Sequence, residues 1–304
     1  MTGHRSQVTG HGLGLWWRAV RPYAYPASVV PCFLGASLAS SQGYAVNIWR
    51  LALVVVGVIA AHTGGNLVND YFDFTRGVDR PGTLGGNGVL VEKLMTPRRI
   101  LVGAAVAFAV AASCGLILLS CAGWHVAALA LFGFFAAVGY VAPPFGLKYR
   151  ALGDLNVFLA FGVGITLGSY FVQTGRLAWA PLSAGAAYGL WVVALLHCNN
   201  IRDMADDAAD DTKTMAGIMG PRMARAAYAA VVLCSYALVA IFAFAGILPR
   251  GALLCFLTLP MGASLALRVA GSGGDGACLA RAVPQTAQYS LFFGAAMIAG
   301  ILLL

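Results

Sequence analysis

The chain has 304 residues, 60% of them apolar and 10% charged, with a mean hydropathy of +0.81. So apolar a composition excludes an ordinary soluble enzyme and points to a bundle of membrane helices. The net charge of +8 reflects loop placement and attraction to anionic lipid, and gives no reason to expect nucleic acid as a partner.

In chain order, the first dozen residues are rich in Gly, Ser, His and Thr and predict a disordered tail without a cleavable signal. Nine apolar stretches long enough to span a bilayer follow, at about 23–41, 50–69, 100–121, 125–142, 154–173, 182–200, 225–246, 251–269 and 286–304. The expected architecture is an all-α membrane protein with one domain over 1–304, in two repeated halves at about 20–145 and 150–270. Placing the N-terminus and alternate loops on one side gathers 16 of the 19 basic residues and all eleven acidic residues there. Only Arg50, Arg176 and Arg250 fall opposite. The positive-inside rule makes the crowded side cytoplasmic and puts the C-terminus across the membrane, which would be the inner membrane of a bacterium. Seven cysteines without CxxC pairing read as small core residues in a reduced setting.

Before the first span, Trp16, Trp17 and Tyr23 flank Arg18, Arg21 and Pro22, as in an interfacial belt. Arg21 is either an anchor or a rim cation that reaches an anionic group. In the second span His62 lies one turn before Asn66 on the same face. It serves either a proton transfer or a bond between helices. The span ends Asn66-Leu67-Val68-Asn69-Asp70-Tyr71-Phe72-Asp73, and Gly77-Val78-Asp79 follows. The Gly-rich stretch from Arg80 to Lys93 lacks the GxxxxGK[ST] pattern and reads as a flexible lid. Arg76, Arg80 and Lys93 are either solvated or cations for a phosphate. Pro143 and Pro144 stop the fourth span, Lys148 and Arg150 follow, and Asp154 opens the fifth where a carboxylate suits a helix N-terminus.

The sixth span runs into Asn199-Asn200-Ile201-Arg202-Asp203 and then Asp206, Asp207, Asp210 and Asp211, so five carboxylates occupy the nine residues 203–211. If the helix continues, Asn199, Asp203 and Asp207 share a face. Such a face repels itself unless it holds a cation, and hard divalent ions prefer carboxylate and amide oxygens. The Asn-to-Asp spacing of Asn66–Asp70 recurs at Asn199–Asp203, 133 residues later. Two carboxylate sets facing each other suit a diphosphate, whose oxygens metal ions bridge as it leaves.

These motifs resemble the UbiA superfamily of intramembrane aromatic prenyltransferases over nearly the whole chain. The nearer likeness is to the MenA branch, which prenylates 1,4-dihydroxy-2-naphthoate, and to its animal menaquinone-4 relative. It rests on Arg21-Pro22 with Pro26-Ala27-Ser28, the Asn66–Asp73 run ending Gly77-Val78-Asp79, Thr96-Pro97-Arg98, Leu152-Gly153-Asp154-Leu155 and the double-Asn second motif. The resemblance implies a nine-helix bundle around a central cavity open toward the cytoplasmic leaflet. It implies Mg2+ on Asp70, Asp73, Asp203 and Asp207, assisted by Asn66 and Asn199. It further implies a long-chain prenyl diphosphate held by Arg21, Arg76, Arg80, Tyr140, Lys148, Arg202 or Lys213, and a small aromatic acceptor. The branch continues its second motif Ala-Gly-Lys-x-Thr, whereas Asp210-Asp211-Thr212-Lys213-Thr214 stands here. The alternatives are a different acceptor, such as 4-hydroxybenzoate, or a cation-coupled transporter. Carriers place ionisable groups near the midplane, while these carboxylates gather at helix ends.

Overall fold

The computed structural model describes residues 12–83, 86 and 88–304. Most of the expected tail lies outside the described residues, but Gly12 already opens helix α1 (Gly12–Val20). The described residues form helices and connecting turns: α2 (Pro26–Ser41), α3 (Ile48–Thr75), α4 (Pro97–Ala122), α5 (His125–Gly139), α6 (Gly153–Val157), α7 (Ile165–Thr174), α8 (Trp179–Arg202), α9 (Met204–Ala209), α10 (Met215–Phe244), α11 (Leu259–Ala270) and α12 (Gly276–Leu303). A π-helical segment, Phe158–Gly164, joins α6 to α7, and a 3-10 segment, Arg250–Thr258, leads into α11.

The starts and stops are local chemistry. Asn47 Oδ1 accepts the backbone N–H groups of Trp49 and Arg50 at the head of α3. Thr96, Thr214 and Asp275 cap α4, α10 and α12 in the same way. Gly175 ends α7 at φ 69°, a left-handed conformation that costs a glycine little.

Seven helical segments are long and apolar enough to cross a membrane: Ile48–Thr75, Pro97–Ala122, Gly153–Thr174, Trp179–Arg202, Met215–Phe244, Arg250–Ala270 and Gly276–Leu303. Two of the nine expected spans are the shorter helices α2 and α5. At 16 and 15 residues they reach about 24 and 22 Å, less than a hydrocarbon core of about 30 Å. The shortening has visible causes. Pro26 opens α2 one turn late, and α5 gives way at Tyr140 to the turn before Pro143-Pro144.

The main core packs α2, α8, α10, α11 and α12 around the buried Tyr188, Trp191, Tyr236 and Phe293. Their polar atoms are mostly satisfied: Tyr188 donates to the Pro26 carbonyl at 2.8 Å, and Tyr236 shares a bond with Thr258 at 2.9 Å. Helix α8 is central, and it crosses the π-helical segment closely. A Cβ on Gly185 would sit 2.6 Å from the Gly162 carbonyl oxygen. A second core, around Leu67, Ile100 and Val141, includes Val89 and Leu90. The stretch expected to be a free lid is therefore anchored at its C-terminal end.

Candidate active site

Helix α3 and helix α8 both end at the mouth of one cavity of about 770 Å³. From α3 come His62, Asn66, Asn69 and Asp73. These lie at spacings of four, three and four, which is one helical face. From the second motif come Asn199, Asn200, Arg202, Asp203, Asp206 and Asp207. Helix α8 stops at Arg202, and Asp203 turns the chain into α9. The i to i+4 bonding nonetheless persists, with Asp203 N–H on Asn199 O and Asp207 N–H on Asp203 O, both at 2.9 Å. The break therefore preserves the register, and Asn199, Asp203 and Asp207 all line the cavity.

Arg21, Tyr140 and Lys148 complete this polar end. Most of the remaining lining is apolar, drawn chiefly from α3, α4, α5, α8 and the π-helical segment, and includes Val54, Leu116, Phe132 and Phe161. Along α3 the lining runs from Val54 to Asp73, a rise of about 28 Å.

Acids of both motifs pair with cations. Lys148 Nζ lies 2.5 Å from Asp73 Oδ2, and Tyr149 donates its hydroxyl to Asp73 Oδ1 at 2.7 Å. Arg21 is ion-paired with the buried Asp70, and Arg202 grips Asp203 through two bonds of 2.6 and 2.7 Å. Burial alone would lower the Lys148 ammonium, but Asp73 overrides it and holds the group above its ordinary range. Among the described residues, Asp207 has no such ion-pair partner. Burial, reinforced by Asp203, Asp73 and Asp206 against the opposing Lys148, pushes its carboxyl up to about 7. Burial and Asp73 also raise Asp79, which lines the same cavity.

Among the described residues, no three His, Cys, Asp or Glu side chains stand in a ready-made metal cluster. The donor set still suits a hard divalent cation: carboxylate and amide oxygens from both motifs face one cavity, and Asn69 Oδ1 is buried without a partner.

Three expected phosphate contacts lie elsewhere. Arg76 stacks on Tyr149 in a separate pocket, Arg80 is paired with Asp210, and Lys213 is exposed with its backbone oxygen taking the Ala151 N–H. Lys93 is likewise outside the cavity lining. Asp70 is buried and outside the cavity lining, while His62, in that lining, is held by Ser28, whose Oγ lies 2.6 Å from Nδ1. Asp154 does not cap α6 by a side-chain bond; its Oδ2 meets His197 Nδ1 at 3.0 Å, and His197 Nε2 meets the Ala224 carbonyl at 3.1 Å. His197 thus braces α6, α8 and α10 outside the cavity. Sequence reasoning did not single out Asn69, Asp79, Asn200 or Asp206 as site residues, although all sit in the motifs. Tyr149 had only its place beside Lys148 to mark it, and Ser28 only its place in the Pro26-Ala27-Ser28 run that helps carry the family resemblance.

The profile of the UbiA prenyltransferase family matches residues 28–300. The chain belongs to that family. Relatives include UbiA prenyltransferase domain-containing protein 1 from Danio rerio, 31% identical over 94% of this chain and 83% of its own length. The Homo sapiens protein of the same name is 30% identical over 94% and 82%. A solved UbiA homologue from Aeropyrum pernix K1 superposes with a TM-score of 0.72 at 17% identity, covering 92% of this chain and 98% of its own. One from Archaeoglobus fulgidus, bound to GPP and Mg2+, gives 0.62 at 16%, covering 94% and 99%. At these identities the two structures speak for the fold, and the family rests on the profile and the animal relatives.

Proposed function

We propose that this chain transfers a prenyl group from a prenyl diphosphate to an aromatic quinone precursor. One observation carries the reading: a single cavity joins a cluster of acids, amides and cations at two helix ends to an apolar length of about 28 Å along α3. That shape and chemistry suit a ligand with a diphosphate head and a hydrocarbon tail. The bound GPP and Mg2+ of the Archaeoglobus fulgidus homologue support the same reading here.

Asp73, Asp79, Asp203 and Asp207, with Asn66, Asn69 and Asn199, would hold Mg2+, which when bound neutralises the diphosphate as it leaves. Lys148, Arg21 and Arg202 face the same head group and stabilise its charge once they exchange their aspartates for phosphate oxygens. The apolar wall excludes water from the allylic carbon, so that the electron-rich ring is its available nucleophile. His62 lies in the wall with Nδ1 bonded to Ser28, and in the tautomer whose Nδ1–H donates to Ser28 Oγ its Nε2 is open to take a proton from a ring hydroxyl.

For the acceptor we infer 1,4-dihydroxy-2-naphthoate, with diphosphate and carbon dioxide released, on the form of Asn199-Asn200-Ile201-Arg202-Asp203 and its likeness to the MenA branch. The nine-pass architecture, the two related halves and the cytoplasmic placement of both motifs belong to the same proposal. Support for it comes from α3 and α8, which end alike at the cavity mouth, and from the basic-residue asymmetry. Purified protein with Mg2+, one labelled prenyl diphosphate and each acceptor in turn tests the reading. Product from the naphthoate is expected; product from 4-hydroxybenzoate alone would overturn the branch while leaving prenyl transfer intact.

A further inference from the structure

We propose that the small pocket between Arg76 and Arg150 binds the phosphate of an anionic membrane lipid. The proposal does not depend on the prenyl-transfer reading. The pocket has a volume of about 230 Å³ and lies apart from the central cavity, with no acidic residue in its lining. Arg76 caps the C-terminus of α3, with Cζ 4.3 Å from the centroid of the Tyr149 ring. Arg150 donates Nη2 to the Pro144 carbonyl at 3.1 Å. Neither guanidinium has an ion-pair partner among the described residues. This sets them apart from Arg18, Arg21, Arg80 and Arg202, each of which meets a carboxylate. Two planar donor forks fixed by a ring and a carbonyl, with free N–H groups and no counter-charge, suit a phosphate monoester or diester.

A soluble anion and a lipid head group share that chemistry, and the surroundings favour the lipid. The rest of the lining includes Pro143, Pro144 and Phe145, and Phe145 is 52% exposed. Phe145 lies beside Gly139 at the end of α5, and Phe135, one turn before Gly139 on the same face, is also exposed. An acyl chain would lie along this strip while its phosphate meets the two arginines at the membrane interface. Tyr149 also connects the pocket to the central cavity, since its ring supports Arg76 and its hydroxyl holds Asp73.

Native mass spectrometry of the purified full chain in detergent, titrated with phosphatidylglycerol, phosphatidylcholine and inorganic phosphate, tests the site. One phosphatidylglycerol per chain is expected to persist, with phosphatidylcholine at least tenfold weaker. Joint substitution Arg76→Gln and Arg150→Gln should weaken phosphatidylglycerol at least tenfold. Arg150→Gln alone should weaken it several-fold, and its side-chain bond to the Pro144 carbonyl is in an exposed turn, so this variant keeps the test valid if the double variant misfolds. The pair Arg98→Gln and Arg99→Gln on α4, also basic and exposed, should change it less than twofold. Unchanged phosphatidylglycerol binding in Arg150→Gln and in a folded double variant would overturn the proposal. Equal binding of phosphatidylcholine would also overturn it. Displacement by inorganic phosphate at matching affinity would overturn the lipid assignment and leave a soluble anion as the ligand.

Discussion

Burial and the nearby carboxylates of Asp203, Asp73 and Asp206 leave Asp207 half-protonated near pH 7, and this has a sign that can be tested. An aspartate in the unfolded chain titrates near 3.8, so between that value and about 7 the folded protein holds a proton that the unfolded chain has released. Without a divalent ion, stability therefore falls as pH rises through this window. A bound cation favours the carboxylate and opposes the trend. Thermal unfolding in detergent with a chelator should show Tm declining from pH 5 to pH 8. Added Mg2+ should restore it most at pH 8, and Asp207→Asn should flatten the chelated profile. A chelated Tm that rises with pH would contradict the assignment. At this scale the sequence showed the acids better than the bases. Asn66, Asp73, Asn199, Asp203 and Asp207 reach one cavity because helical bonding fixes their spacing. Arg76, Arg80 and Lys213 lie beyond helix ends, where distance along the chain does not fix a side chain's direction.

Helix α8 shows how an element sets the site. It is held in the core by Trp191 and Tyr188 and approached by backbone at Gly162, so its acidic end has little freedom to shift. A methyl group at Gly185 would meet the Gly162 carbonyl at 2.6 Å, and also Val163 Cα and Thr166 Cβ at 3.1 Å. Backbone, not a flexible side-chain tip, must yield. Gly185→Ala should therefore cost about 1 to 3 kcal/mol, as overpacking does, and lower turnover by displacing Asn199 and Asp203. Gly276→Ala, where a Cβ meets nothing within 4 Å, should stay within about 0.5 kcal/mol. Thermal unfolding and turnover of the two variants, measured side by side, check the contrast. Most span boundaries were legible to a few residues because hydropathy and caps are local properties. But α3 runs on to Thr75, and α10 and α12 start at Met215 and Gly276, well before the apolar stretches at 225 and 286, because polar turns continue these helices past their apolar stretches. The π-helical segment and its contact with α8 were not, because both depend on which helices meet.

Across the whole molecule, the proposed prenyl transfer would set its head group between the two acidic helix ends, and the cavity behind them would set how much tail can follow. The apolar lining continues down α3 from the polar mouth to Val58 and Val54. Val58 is 15 residues before Asp73, about 22 Å along the helix axis. A short prenyl chain ends before that depth, whereas a long one passes it. Val58→Trp places a large ring in the far half of the cavity without touching Lys148, Asp73 or the second motif. With geranyl diphosphate, kcat/KM should remain within about twofold of wild type, since the head group and first carbons meet the same side chains. With a long-chain donor it should fall at least tenfold, a loss of about 1.4 kcal/mol in transition-state binding, because the added ring and the distal tail compete for one space. Equal losses on both donors would mean that the substitution disturbs the fold or the mouth. No loss on the long donor would mean that the tail leaves the cavity sideways before it reaches Val58.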